Sequence, residues 1–152
     1  MLISTLKLPH SNTFLVIAIW LEFFRFAQVA ELKSVCWLDI CGKIDCRELS
    51  PHTTYSAYLI FKLCPESYGL ELPAQQASVT VGAQISKQDV CLNPDEEEMR
   101  ARSARSDGWM EMELGEFFSG DGSEGEVSMR LREVEVLNWK RGLVIEGIQV
   151  RP

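Results

Sequence analysis

Residues 109–117 read WMEMELGEF, and their alternation decides the class of fold. Successive side chains of a strand point to opposite faces, so Met110, Met112 and Leu114 fall on one side while Trp109, Glu111 and Glu113 fall on the other. One side is apolar and the other mostly acidic. That is the pattern of a strand with one face on a core and the other in water. Residues 119–125 (SGDGSEG) follow as a glycine-rich turn. The turn is no phosphate loop, because it lacks the Lys-Ser/Thr of a P-loop and carries the acids Asp121 and Glu124. Residues 127–136 alternate again, with an apolar phase that slips between Leu131 and Val134; the slip predicts a β-bulge near Arg132. Residues 138–142 (NWKRG) form a turn and 143–150 a last strand, in which Gly147 marks a further bulge.

Upstream, residues 35–40 make a compact apolar strand, and 49–53 turn around Pro51. Residues 55–63 (YSAYLIFKL) are nearly continuous and β-rich, as in a strand buried on both faces, and 78–84 alternate. Residues 93–105 differ. Pro94 precedes Asp95, Glu96, Glu97 and Glu98, and Arg100 and Arg102 stand four residues after two of those acids. That predicts a short solvated helix or a charged surface loop. Seven or so short strands at regular spacing predict an all-β antiparallel sandwich.

The chain has 152 residues and a net charge of −7, with 46% hydrophobic and 24% charged residues. This suits one domain and excludes a disordered chain. The acidic balance makes a poor non-specific partner for nucleic acid or for an anionic membrane. Residues 14–24 (FLVIAIWLEFF) are apolar but too short to span a bilayer. Two readings stay open: a short apolar N-terminal helix packed on the domain, or a secretory leader ending at Ala27 or Ala30, which would place Arg25 or Gln28 at the −3 position. Five cysteines with no CxxC pair, and His10 and His52 remote from them, point away from a zinc site or disulfide scaffold. The expectation is free thiols in a reducing compartment, with no metal and no cofactor.

Catalysis finds little support. No G-x-S-x-G elbow exists, and a pairing of Cys46 with His52 has nothing else to recommend it. Glu111 and Glu113 share one strand face roughly 6.5–7 Å apart at Cα; glycosidases use two carboxylates across a bond, but neighbours on a strand more often form a solvated face. The remaining signal is aromatic. Trp37 shares a strand face with Asp39, Trp109 shares one with Glu111 and Glu113, and Trp139 sits in a turn. An indole is a broad apolar plate with one donor. Beside a carboxylate it can stack on a sugar ring and bind its hydroxyls without cutting anything. The plainer alternative is that Trp37 and Trp109 plug the core.

Six stretches in order resemble the phloem protein 2 family, the Nictaba-related lectin domain of plants. They are RFAQVAEL (25–32), VCWLDICGK (35–43), LSPHTTY (49–55), AYLIFKL (57–63), DGWMEMELGEFF (107–118) and KRGLVIEGIQVRP (140–152). The resemblance implies a jelly-roll-like β-sandwich lectin domain over residues 25–152. It implies non-catalytic binding of N-acetylglucosamine oligomers or N-glycan cores, in the cytoplasm and nucleus. Many relatives carry an F-box that recruits a ubiquitin ligase. Against that pattern, residues 1–24 read as a divergent leader or a gene-model artefact, with no F-box-like segment before residue 25 and the first lectin strands missing. The candidate sugar contacts are Trp109, Glu111, Glu113 and Trp37. A sugar-independent protein-interaction scaffold, with the 95–98 acids and nearby arginines as its contacts, is the competing expectation.

Overall fold

A computed structural model describes residues 2–3, 29–95, 97–98 and 107–152. The fold is all-β. Among the described residues nine strands run in chain order: β1 (Leu2–Ile3), β2 (Ala30–Glu31), β3 (Leu38–Asp45), β4 (Thr54–Tyr68), β5 (Gln75–Val81), β6 (Gln84–Val90), β7 (Met110–Phe118), β8 (Glu126–Glu133) and β9 (Arg141–Arg151). One antiparallel sheet has the order β1-β9-β4-β7, with β2 also paired to β9; the other has the order β3-β8-β5-β6. Their inner faces share one core, in which Leu59 and Phe61 of β4 meet the same cluster as Leu131 and Met129 of β8.

Local chemistry explains the layout. Strand β3 alternates buried and half-buried through all eight residues. It can lie close on the opposite sheet because Gly42 has no Cβ: one built there would stand 2.8 Å from Ile148 Cδ1. Strand β4 is central to its sheet, and Leu59, Ile60 and Phe61 are all fully buried, which accounts for the continuous apolar run. Strand β7 keeps the expected faces, with Met112 and Leu114 inward. Its edge is covered rather than open. The Gln88 side-chain amide donates to Glu113 O at 2.9 Å, and the Gln84 side chain both donates to and accepts from the Phe118 backbone. Side chains of β6 thereby satisfy three backbone groups along the β7 edge, which blunts it.

One sequence expectation changes. No bulge falls near Arg132: β8 stays in register with β3 and β5 to its end. The apolar phase slips there because the inward position after Leu131 is taken by a charged residue, Glu133, which is 5% exposed. The bulges lie elsewhere, one beside Gly147 as expected and one between Ala57 and Tyr58, opposite Gly115. Strand β6 was invisible to the pattern, since its residues are polar and mostly exposed. The expected helix over residues 14–24 lies outside the described residues, and the two described leader residues form a strand on β9. Of the charged stretch, residues 97–98 are helical and the Asp95 carboxylate accepts from the Glu98 N–H at 2.9 Å. The rest of that stretch is outside the description.

Candidate functional site at one end of the sandwich

The outward face of the β9-β4-β7 sheet carries three of the sequence-nominated residues. Trp109 precedes β7 and is half-buried, with Lys62 Nζ 4.4 Å from the centre of its ring. Glu111 stands opposite Ile60 and is ion-paired to Arg151 at 2.9 Å. The Arg151 guanidinium in turn lies 3.9 Å over the Tyr58 ring. Glu113, opposite Tyr58, is exposed. The strand therefore puts these three in one row, but the first two already have charged neighbours. Neither Trp37 nor Trp109 belongs to the core cluster, so the core-plug reading fails for both.

Trp37 sits elsewhere, on the segment that crosses from β2 to β3, and is 58% exposed. That segment reaches β9 through the isolated bridge between Val35 and Lys140. Trp139, just before Lys140, is 45% exposed. Of the nine large hydrophobic side chains exposed among the described residues, six gather at this end: Trp37, Tyr68, Leu72, Val136, Leu137 and Trp139. Such clustering marks an interaction surface, whereas scattered exposed hydrophobics do not.

Beneath this end lies a polar hub. The Lys140 side chain is fully buried. Its ammonium donates to Cys36 O and Asn138 Oδ1, both at 2.7 Å, and to Asn138 O at 3.2 Å, and it meets Glu133 Oε2 at 2.5 Å. The other Glu133 oxygen accepts the N–H groups of Glu135 and Val136. The Asn138 amide extends the hub to the β4–β5 loop, donating to Gly69 O and Leu72 O. Gln75, also fully buried, braces that loop by donating to Pro73 O at 2.7 Å and accepting from Leu92 N at 2.8 Å. Buried polar groups are tolerated when every one is matched in this way.

Burial acts to raise the Glu133 carboxyl pKa. The hydrogen bond from Lys140, the Val136 N–H, the ammonium charge and the Glu135 N–H together outweigh it and hold the carboxyl below its ordinary value. A carboxyl depressed in the folded state adds stability above its unfolded pKa, and loses it as pH falls through the folded one. Stability is therefore expected to decline as pH drops below about 4.3, the ordinary glutamate value. Urea midpoints measured from pH 7 to 3 check this. A Glu133→Gln variant should start less stable and show a shallower decline. Cys46 is buried and burial pushes its thiol up, while all five cysteines are free. No cluster of three or more possible metal ligands exists among the described residues.

A cleft of about 170 Å³ opens beside the hub, on the rim of the β3-β8-β5-β6 sheet. Gln76, Asp89 and Arg132 line it together with Pro73, Val134 and Val136. Gln76 stands in register with both Arg132 and Asp89, so the three polar side chains share one row. Sequence reasoning missed this row, since it needs strands 76, 89 and 132 brought side by side. It also gave Trp139 no role beyond a turn, and nothing local marks it, since Lys140 beside it reads as one more polar turn residue.

The family described as Phloem protein 2 matches residues 13–152. Among curated proteins, the chain is 42% identical over 135 residues to F-box protein PP2-B10 of Arabidopsis thaliana, covering 84% of this chain and 50% of that one. It is 38% identical over 157 residues to F-box protein PP2-B13 of the same plant, covering 84% and 55%. The chain thus spans about half the length of the curated relatives it matches. Among solved structures, a CBM22-1 xylan-binding domain from Paenibacillus barcinonensis Xyn10C aligns over 82% of this chain and 70% of that one, at 14% identity and a TM-score of 0.36.

Proposed function

The chain belongs to the phloem protein 2 family, and from that premise we propose that it is a non-catalytic carbohydrate-binding domain for N-acetylglucosamine oligomers or N-glycan cores. One observation carries the reading: indoles stand exposed on a β scaffold, Trp37 at 58% and Trp139 at 45%, at the end where the polar side chains of Gln76, Asp89 and Arg132 line a cleft. A pyranose ring has apolar C–H faces and a rim of hydroxyls. Exposed indoles suit the faces, and amide, carboxylate and guanidinium groups suit the rim. Trp109 and Glu113 are secondary contacts in this reading, and Glu111 acts through its ion pair with Arg151. Five free thiols favour a nucleocytoplasmic setting over a secreted one.

The relatives' names favour a second role for the same domain. F-box proteins of about twice this length suggest that it is the glycoprotein-recognising half of a ubiquitin-ligase receptor. Isothermal titration with chitotriose, alongside a glycan array, tests the first reading. Saturable binding in the micromolar to millimolar range is expected, since desolvating hydroxyls offsets much of the contact energy. A well-folded sample that binds no glycan overturns it.

A further inference from the structure

We propose that the saccharide seat is the loop end of the sandwich, with Trp37 and Trp139 as stacking plates, the adjoining cleft as the place of one sugar ring, and buried Lys140 as the residue that positions both indoles. This rests on the carbohydrate reading above and gives it a location.

The two indoles come from segments far apart in sequence, and one ammonium ties both. Lys140 Nζ holds Cys36 O, the carbonyl of the peptide leading into Trp37. It also holds Asn138 O, the carbonyl of the peptide leading into Trp139. Asn138 then fastens the loop bearing Leu72, which is 77% exposed. A surface whose backbone is fixed from below loses little conformational entropy on binding, which is where affinity for a weakly interacting ligand is usually lost. Exposed side chains on loose loops would not have that advantage.

The cleft lies at the same end of the sandwich, although neither indole is part of its lining. Leu38, which follows Trp37, pairs with Glu133, and Glu133 through Val136 form one wall. Gln76, Asp89 and Arg132 face the opening, and none has a hydrogen-bond or ion-pair partner among the described residues. Asp39, the acid paired across from Arg132, is taken by Arg130, which donates to both its oxygens. The cleft thus offers donors and acceptors of both signs, with Pro73, Ala74, Val134 and Val136 as its apolar lining. At about 170 Å³ it is smaller than ordinary small-molecule pockets, which run from roughly 300 Å³ upward, and so suits a single ring of a longer chain. A net charge of −7 disfavours an acidic partner and is indifferent to a neutral glycan.

The test is an NMR titration of the full chain with chitotriose, reading the indole N–H signals. Trp37 and Trp139 are expected to shift together along one binding curve. Trp37→Ala and Trp139→Ala should each weaken binding by about tenfold, as central aromatic anchors do. Arg132→Ala should weaken it severalfold, and Trp109→Ala by less than twofold. Asn138→Ala reads the positioning role without breaking the ion pair: the Trp139 indole should become more mobile by heteronuclear NOE and affinity should fall, with the fold retained by circular dichroism. Unchanged mobility and affinity in that variant would overturn the positioning role. Chitotriose binding that moves Trp109 and neither of the other indoles overturns this location and leaves the carbohydrate reading standing. Absence of any glycan binding overturns the carbohydrate reading itself, and this seat with it.

Discussion

Lys140→Met is expected to lower the free energy of unfolding by about 3–5 kcal/mol, the cost of removing one partner of a buried ion pair. Methionine keeps most of the aliphatic stem, so packing changes little. The loss is in charge and donors. Without the ammonium, Glu133 keeps only the Glu135 and Val136 N–H groups while still buried at 5% exposure. The carbonyls of Cys36 and Asn138 lose a donor at the same time. Since small domains have about 5–15 kcal/mol in total, this one change removes a large share. Glu133→Leu in the same background removes the stranded carboxylate, and the double variant should lose less than the sum of the singles by at least 1 kcal/mol. Urea unfolding followed by circular dichroism gives all four corners of the cycle. A loss below 1 kcal/mol for Lys140→Met would mean that water reaches the hub and that the pair does not hold this end together.

The second large effect comes from a residue with no side chain. Gly69→Ala is expected to cost about 2–5 kcal/mol, and Gly125→Ala about 1 kcal/mol, although both glycines have a positive φ, +72° and +89°. The conformational strain is similar at the two positions. The surroundings are not: a Cβ on Gly69 would stand 2.0 Å from the Trp139 carbonyl oxygen, whereas nothing lies within 4 Å of one on Gly125. At Gly69 the backbone bearing Trp139 must therefore move, and with it the Asn138 bond to Gly69 O. Melting temperatures of the two variants separate steric from conformational cost. Equal shifts would show that the loop retreats freely, against the view of a braced end.

The strand faces of β7 were legible in the sequence because alternation is a local property, set by neighbouring residues on one strand; β3 was legible only in part, since the apolar run 35–40 meets the strand Leu38–Asp45 at its first three residues. The closing strand β9 was legible for the same reason, with Gly147 marking its irregularity. Strand β6 was not, because what fixes it is its partner: QISKQDV has no apolar face of its own and gains its place by pairing with β5 and by offering Gln84 and Gln88 to the edge of β7. The slip after Leu131 was visible but misread. Period-two patterning treats an inward charge as a break in phase, and cannot see that Glu133 turns inward to meet Lys140.

Of the nominated residues, the sequence placed Trp109, Glu111 and Glu113 on one face, and that arrangement is as expected. Which groups they meet there was beyond it. Lys62 and Arg151 arrive from β4 and β9, and they occupy the indole ring and the carboxylate that a bare strand would leave open.

The amino-acid order alone determined that this chain builds alternating strands, that their apolar sides make one two-layer core, and that its tryptophans are few enough to matter. Those are consequences of a two-residue repeat and need no knowledge of the partner strand. Only the tertiary structure decided that Trp37 and Trp139 share an end, because the ammonium that gathers them bonds a carbonyl 104 residues away in sequence. A lysine is buried only where acceptors from several segments converge to repay its lost hydration, and such convergence has no signature in any single stretch of chain.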